Sequence, residues 1–537
     1  MRSYSRSVNG RPVLHLFVIA ALVILCRAPF LLRGDRFFDS DEAVEGLMAL
    51  HVLEGEPSAF LWGQRYKGVP EVYLAAAVFA LTGPSVVALK SVTLACFALF
   101  VCLQHVLIER LFPRAIAWIA TAFLIVAPPS LVFWSLSANA EIVMTMLAGT
   151  VMLLGVDLWR RSLSRPALLA AAAAAGFGLW VQQYIVYYWI ALGLAVVLAL
   201  PQRGRVFGML FAREIPGWVR FPTIVLGAGA GGYAVLGMVA FLTGGFELTI
   251  FGLPIGVRHA QKLWAIAAVL AVMATAARLL FVVGRHGGTV ASVAYSAALA
   301  FAVGYAPALA AGGSGAPIGR AGLADVQSAM SAFASQIGPI LLGLRSPSTA
   351  WLGVSPWLAA PLVVAVAFSL VALKERPFTP VFHLLVLTAV ALFFLSGAYV
   401  DAQSYRYLMP VAGAFAVVLA LGVWRTFAWS RVAGVASLAT LLTLFALEQR
   451  AWYRQLTPDA RSAQLIACLD RAGIREAYAD YWVSYKVTFL TGERIVIAPD
   501  TGVDRYPPYT ARVRASPSAP RILDKMGSPC NSAISSP

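Results

Sequence analysis

The chain has 537 residues, 60% of them hydrophobic and only 12% charged, about half the charge of an ordinary soluble domain, so a water-soluble globule is excluded. Its net charge of +16 is spread as short Lys and Arg clusters between apolar runs rather than as a stripe able to track phosphodiesters, so nucleic acid is not an expected partner. Five cysteines without CxxC or Cys/His spacing build neither a disulfide scaffold nor a structural zinc fold.

A helix crosses a bilayer with about 20 mostly apolar residues, because each backbone N–H and C=O must find its partner inside the segment. Thirteen such runs are predicted, at 13–32, 86–108, 115–127, 142–158, 167–180, 185–200, 222–243, 263–283, 290–310, 357–373, 382–400, 407–423 and 432–447. The first follows Arg2, Arg6 and Arg11 but lacks a small-residue cleavage site, so it reads as a retained helix rather than a signal peptide. Alternate loops carry Arg110 and Arg114, Arg160, Arg161 and Arg165, Arg203 to Arg220, Arg285, Lys374 and Arg376, and Arg425 and Arg431. By the positive-inside rule these loops and the N-terminus lie in the cytoplasm. The expected fold class is therefore an α-helical polytopic membrane protein. Residues 1–447 form the membrane part and 448–537 a small extracytoplasmic α/β domain, in a bacterial inner (plasma) membrane.

In that last domain the pattern predicts a helix at 460–472, a strand at 477–479, a helix at 484–490 and a β-branched strand at 494–498. Cys468 and Cys530 both fall on the oxidising side, where a disulfide and two free thiols are equally compatible with the sequence. The Ser- and Pro-rich end reads as disordered.

Charged groups beside hydrocarbon cost several kcal/mol, so those in the outer loops carry the functional information. The first loop, about 33–85, opens Asp39-Ser40-Asp41-Glu42-Ala43-Val44-Glu45. At about 100° per residue from Asp41, Glu45 lies near 40° and Glu42 near 100°, opposite Val44, Leu47, Met48 and His51. This predicts a helix on the membrane surface with one acidic face turned to the core. A structural reading stands beside it: Asp39 and Glu42 as a capping box and Asp41 complementing the helix dipole. Gln64-Arg65-Tyr66-Lys67-Gly68 follows, then a second interfacial helix around 74–81 ending at Gly83-Pro84. Lys67 and Lys90 fall at headgroup depth, suited to a lipid phosphate or to plain snorkelling.

Tyr405-Arg406-Tyr407 joins two late spans on the same outer side. Arg406 there is suited to clamping an anion, while aromatic-belt positioning explains at least one tyrosine. Glu141, after Ser137-Ala138-Asn139, is a further candidate with a first-turn role as its competitor. Gly227-Ala228-Gly229-Ala230-Gly231-Gly232 fits a dinucleotide fingerprint literally but lies inside an apolar span, where close helix packing explains it. Asp39-Ser40-Asp41 fits the DxD pattern of nucleotide-sugar enzymes, yet the loop is expected outside the cytoplasm. None of the six histidines forms HExxH or another metal pair.

Asp41-Glu42 at a helix start, Tyr66-Lys67-Gly68, Phe79-Ala80-Leu81-Thr82-Gly83-Pro84-Ser85 and Ala88-Leu89-Lys90 resemble the first outer loop of GT-C superfamily membrane glycosyltransferases. The likeness is to protein O-mannosyltransferases, the lipid A aminoarabinose transferase and galacturonosyltransferase-like bacterial enzymes. The tail segments Tyr478-Ala479-Asp480-Tyr481-Trp482 and Arg505-Tyr506-Pro507-Pro508-Tyr509 are similar to the last group. The resemblance implies a polyprenyl-phosphate sugar donor and an envelope glycan, lipid or protein acceptor. Asp41 would be the base with Glu42 beside it. Lys67, Lys90 and Arg406 would hold the donor phosphate, and Glu45, Gln64, Tyr66, Glu141 and Tyr405 would bind substrate. The usual Lys-Pro-Pro is Lys67-Gly68-Val69 here. A divalent metal on Asp39, Asp41 and Glu42 is left open, as are a transporter or lipid flippase and an assembly subunit.

Overall fold

The computed structural model describes residues 12–199 except 140, 217–250 except 244, 253–257, parts of 263–270, 288–312, 323–353 except 349, 360–371, 380–396, 401–522 except 518, and 534–535. The helices are α1 (Pro12–Leu31), α2 (Ser40–Leu53), α3 (Pro70–Thr82), α4 (Val86–Leu111), α5 (Arg114–Ile125), α6 (Pro129–Trp134), α7 (Glu141–Ser162), α8 (Arg165–Val181), α9 (Ile185–Ala199), α10 (Gly217–Thr243), α11 (Gly288–Ala311), α12 (Leu323–Ala332), α13 (Ala360–Val371), α14 (Val381–Leu395), α15 (Ala412–Trp429) and α16 (Arg431–Gln455). Beyond them lie α17 (Ala460–Arg471), α18 (Tyr481–Leu490) and α19 (Pro507–Ala515).

Six helices, starting at Leu14, Val86, Glu141, Phe221, Ala402 and Arg431, are long and apolar enough to cross a membrane among the described residues. Shorter apolar helices such as Arg165–Val181 and Val381–Leu395 lie at other expected spans. The expected span at 263–283 lies mostly outside the described residues. Several elements have no counterpart in the sequence-based reading, among them the hairpin β1 (Phe60–Leu61) with β2 (Gln64–Gly68), helices α6, α12 and α19, and the hairpin β3 (Phe246–Ile250) with β4 (Leu253–Val257). All are too short to give the signal of a 20-residue apolar run. Leu14, Phe17 and Leu25 on α1 and Phe221 and Val235 on α10 point outward, the apolar exterior a lipid-facing bundle needs.

Several buried charges in this bundle are paired. Arg27, fully buried in α1, donates to the carbonyls of Leu124 and Ile125 at 2.8 and 3.0 Å and to Ser135 Oγ at 2.8 Å, satisfying carbonyls left over at the end of α5. Near the far ends of α4 and α7, Arg110, Arg160 and Arg161 converge on buried Asp157 at 2.8–3.0 Å.

The expected surface helix is α2, and its surroundings correct the expectation. Asp39 caps it, its Oδ1 accepting from Glu42 N at 3.0 Å, but Glu42 does not return the bond, so the capping box is half made. Nor does its apolar face lie on lipid: Ala43, Val44, Leu47 and Met48 pack with Tyr485 and Phe489 of α18. Each of the larger side chains contributes about 1.5–3 kcal/mol by burial. Gly46 permits the contact, since a Cβ there would sit 2.5 Å from the Phe489 ring.

The C-terminal segment carries a four-stranded sheet in the order β6-β5-β7-β8, where β5 is Glu476–Asp480, β6 Val496–Thr501, β7 Arg521–Ile522 and β8 Ile534–Ser535. β5 is parallel to β6 and β7, and β8 is antiparallel to β7. Cys468 is disulfide-bonded; Cys530, the partner the sequence offers, lies outside the described residues.

Candidate active site

A cavity of about 460 Å³ opens where the start of α2, the 3₁₀ helix Ala402–Val411, the end of α16 and the start of α18 meet. Its walls include Asp39, Asp41, Arg36, Asn139, Arg406 and Gln455, with the rings of Phe37, Trp134, Trp452 and Trp482. It combines carboxylates, guanidinium groups and flat apolar faces, the lining that a polar ring with an anionic substituent requires.

Asp41 is the carboxylate best presented to this space. Its Oδ1 accepts from the Tyr481 hydroxyl at 2.5 Å, and Arg505 Nη2 lies 3.6 Å away. Arg505 in turn donates to Tyr481 Oη at 3.3 Å. With its amide oxygen turned to the guanidinium, Gln64 accepts from Arg505 at 2.7 and 3.1 Å and from the Tyr66 hydroxyl at 3.3 Å. Gln64, steadied by Tyr66, thus holds Arg505, and neither Gln64 nor Tyr66 lines the cavity. Burial pushes the Tyr481 phenol well above its ordinary range, and the Asp41 charge adds to the push, so the hydroxyl keeps its proton and donates it.

Glu42 has a different place. Both its oxygens accept from the Lys90 ammonium, at 2.6 and 2.7 Å, and Oε2 also accepts from Ala138 N at 2.8 Å. Lys90 is fully buried, 4.3 Å from the Phe37 ring centroid. Lys90 therefore stands behind the wall, its ammonium spent on Glu42, which lines the cavity, rather than free to hold a donor phosphate. Burial pushes the Glu42 carboxyl up to about 7, with Lys90 opposing. Burial and then the neighbouring Asp41 charge push Asp39 up as well. With Glu42 engaged by Lys90 and Asp39 capping α2, the three acids do not fit a shared metal site.

Lys67 is likewise one layer back. It donates to Asn139 Oδ1 at 2.6 Å and lies 3.3 Å from Glu141, whose other contact is Gln182 Nε2 at 2.9 Å. Asn139, not Lys67, reaches the cavity wall. Gly68 sets this position: a Cβ there would stand 2.6 Å from the Trp180 carbonyl, so strand β2 (Gln64–Gly68) packs directly on α8. A proline ring would not fit at this position. Arg406 is the predicted cation that does line the cavity, its Nη2 donating to Tyr407 Oη at 3.2 Å. Tyr405 is fully buried with its ring 6.3 Å from that of Trp134, and Glu45 is buried one turn beyond Asp41; neither is a wall residue.

Sequence reasoning missed Arg36, Trp452, Tyr481, Trp482 and Arg505 as site residues. Tyr481-Trp482 and Arg505 stand in tail segments noted for their resemblance, but their distance in sequence from Asp41 hid the meeting.

Beside the 3₁₀ helix, a second cavity of about 540 Å³ is almost wholly apolar, with Leu131, Leu341, Leu362, Met409 and Phe415 among its walls. Met409 follows Arg406 within the same 3₁₀ helix.

Structural comparison finds similar chains. One is the Archaeoglobus fulgidus oligosaccharyltransferase in the apo form, at a TM-score of 0.49 and 12% identity, over 91% of this chain and 64% of that one. Archaeal oligosaccharyltransferase AglB from the same organism, in complex with an inhibitory peptide and a dolichol-phosphate, gives 0.46 and 13% over 90% and 64%. ArnT from Cupriavidus metallidurans bound to undecaprenyl phosphate gives 0.46 and 13% over 93% and 88%. The chain thus spans 64% of the length of the archaeal enzyme. No protein-family model and no curated protein matches the chain.

Proposed function

We propose that this chain is a GT-C-type membrane glycosyltransferase. It would move a sugar from a polyprenyl-phosphate donor to an extracytoplasmic glycan, lipid or protein acceptor in a bacterial inner membrane. The observation that carries the reading is the placement of Asp41 and Arg406 on the walls of one aromatic-lined cavity. An apolar cavity is built on the same 3₁₀ helix, a place for the lipid chain.

In the reaction, the acceptor hydroxyl oxygen attacks the anomeric carbon, the bond from that carbon to the phosphate oxygen breaks, and the polyprenyl phosphate leaves with the electron pair. Asp41 takes the acceptor proton. Tyr481 and Arg505 hold the carboxylate in place. Arg406, with Arg36 on the same wall, stabilises the charge that grows on the leaving phosphate, in a site where low dielectric makes such a charge pair strong. The aromatic faces orient the sugar ring. Direct displacement inverts the anomeric centre.

The test is to incubate the purified protein with polyprenyl-phosphate sugars and envelope extracts and to determine the configuration of the product. Cleavage of the glycosyl–phosphate bond with inversion is expected. Movement of intact donor across vesicle membranes without cleavage would replace the reading with a lipid flippase.

A further inference from the structure

At the other end of α1 and α4, far from the cavity, three side chains that share no sequence motif come together. His15 of α1 and His105 and Glu109 of α4 each offer a ligand atom, and the three atoms lie within 4.8 Å of one another. His105 and Glu109, four residues apart, share a helix face. Fifteen residues separate His105 from Lys90, about 22 Å along the helix, so this cluster is independent of the proposed transfer site.

His105 is fully buried. Its Nδ1 pairs with the Thr121 hydroxyl at 2.8 Å, which can fix the tautomer that leaves Nε2 with a free lone pair. Nε2 is buried without a hydrogen-bond partner and faces Glu109 Oε1 at 3.5 Å. Trp118 packs against both imidazoles, ring centroids 4.8 Å from His105 and 6.1 Å from His15, giving the site an apolar shell. Arg114 also meets Glu109 Oε1, at 2.9 Å. Its side chain is 69% exposed, so it can turn to water, or leave Oε2 as the ligand.

We propose that His15, His105 and Glu109 bind one divalent transition ion of the zinc class, stapling α1 to α4. Two imidazoles and one carboxylate suit such an ion, whereas calcium and magnesium favour sets of six or more oxygens. Metal–ligand bonds of about 2.0–2.1 Å place tetrahedral ligands about 3.4 Å apart. The His105–Glu109 pair already stands at that spacing, and His15 closes the remainder by side-chain rotation. Water fills the fourth position.

The probe is Co²⁺, added to chelator-treated full-length protein in detergent, purified without a polyhistidine tag. One equivalent is expected to bind with the visible bands of tetrahedral cobalt and no thiolate charge-transfer band. Zn²⁺ then displaces it and raises the unfolding temperature. His15→Asn, at a partly exposed position, should weaken binding at least about tenfold, and Thr121→Val about 10–100-fold. Absence of the tetrahedral spectrum overturns the proposal, as does binding unchanged in both His15→Asn and Glu109→Gln.

Discussion

Asp41 and Glu42 are adjacent in sequence and opposite in role. Asp41 opens to the cavity and is steadied by Tyr481 and Arg505, whereas both oxygens of Glu42 are held by Lys90. Removing one partner of such a buried pair leaves the other charge uncompensated, so Lys90→Met should destabilise the protein by about 3–5 kcal/mol. Joint replacement with Glu42→Gln should recover part of that loss. Thermal unfolding of the two variants in detergent checks it; equal stability of Lys90→Met and wild type would show the pair to be incidental. Hydrogen bonds to charged groups contribute about 1.5–3 kcal/mol, so Tyr481→Phe should cost roughly tenfold to a hundredfold in kcat, with KM little changed. Steady-state kinetics with a lipid-linked donor would measure this. The acidic pair and Arg406 were legible as site candidates because charge beside apolar runs is costly. What holds each acid was not legible, because Lys90 reaches Glu42 from α4 and Tyr481 reaches Asp41 from α18.

At the scale of elements, α2 is gripped by the C-terminal segment at two points beyond Asp41 and the Ser40 hydroxyl, which bonds to Trp482 and Lys486. One is the Ala43–Met48 face on α18; the other is His51. Its Nδ1 pairs with Glu56 and its Nε2 with Glu493, both at 2.8 Å, and Trp62 stacks on Tyr506 beside it. The hydrogen bond to Glu493 raises His51 to about 9 against its partial desolvation, and the same contact holds Glu493 below its ordinary range despite burial. A raised histidine contributes stability that is full below about 6.5 and lost as pH rises toward 9. A depressed carboxylate contributes stability that is full above about 4.5 and lost below it. Docking of the C-terminal segment on α2 should therefore be tightest between about pH 4.5 and 6.5. Amide exchange across 481–515 followed with pH checks this, and Glu493→Gln should flatten the dependence. A pH profile unchanged in that variant would remove His51 from the contact. Periodicity showed α2 as a helix with two faces. It could not show what covers the apolar one, because Tyr485 and Phe489 lie more than 400 residues further along the chain.

Across the whole molecule, the long apolar runs were readable because a bilayer leaves a helix no other way to satisfy its backbone. The hairpin at 246–257 and helix α12 gave no comparable signal. The His15–His105–Glu109 cluster escaped motif reading for a related reason: its ligands sit on two helices that only the fold brings together. The cavity itself draws on residues from both ends of the chain, with Arg36 and Asp41 from one and Trp452 and Trp482 from the other. Losing the C-terminal segment should thus remove Tyr481 and Arg505 from Asp41 as well as uncover α2. The most direct measurement is transfer of radiolabelled sugar from a panel of polyprenyl-phosphate sugars to envelope acceptors, with purified wild type and Asp41→Asn side by side. The account predicts transfer by the wild type with at least one donor and none by Asp41→Asn, although the variant folds and inserts normally. Transfer at the wild-type rate by Asp41→Asn would contradict it.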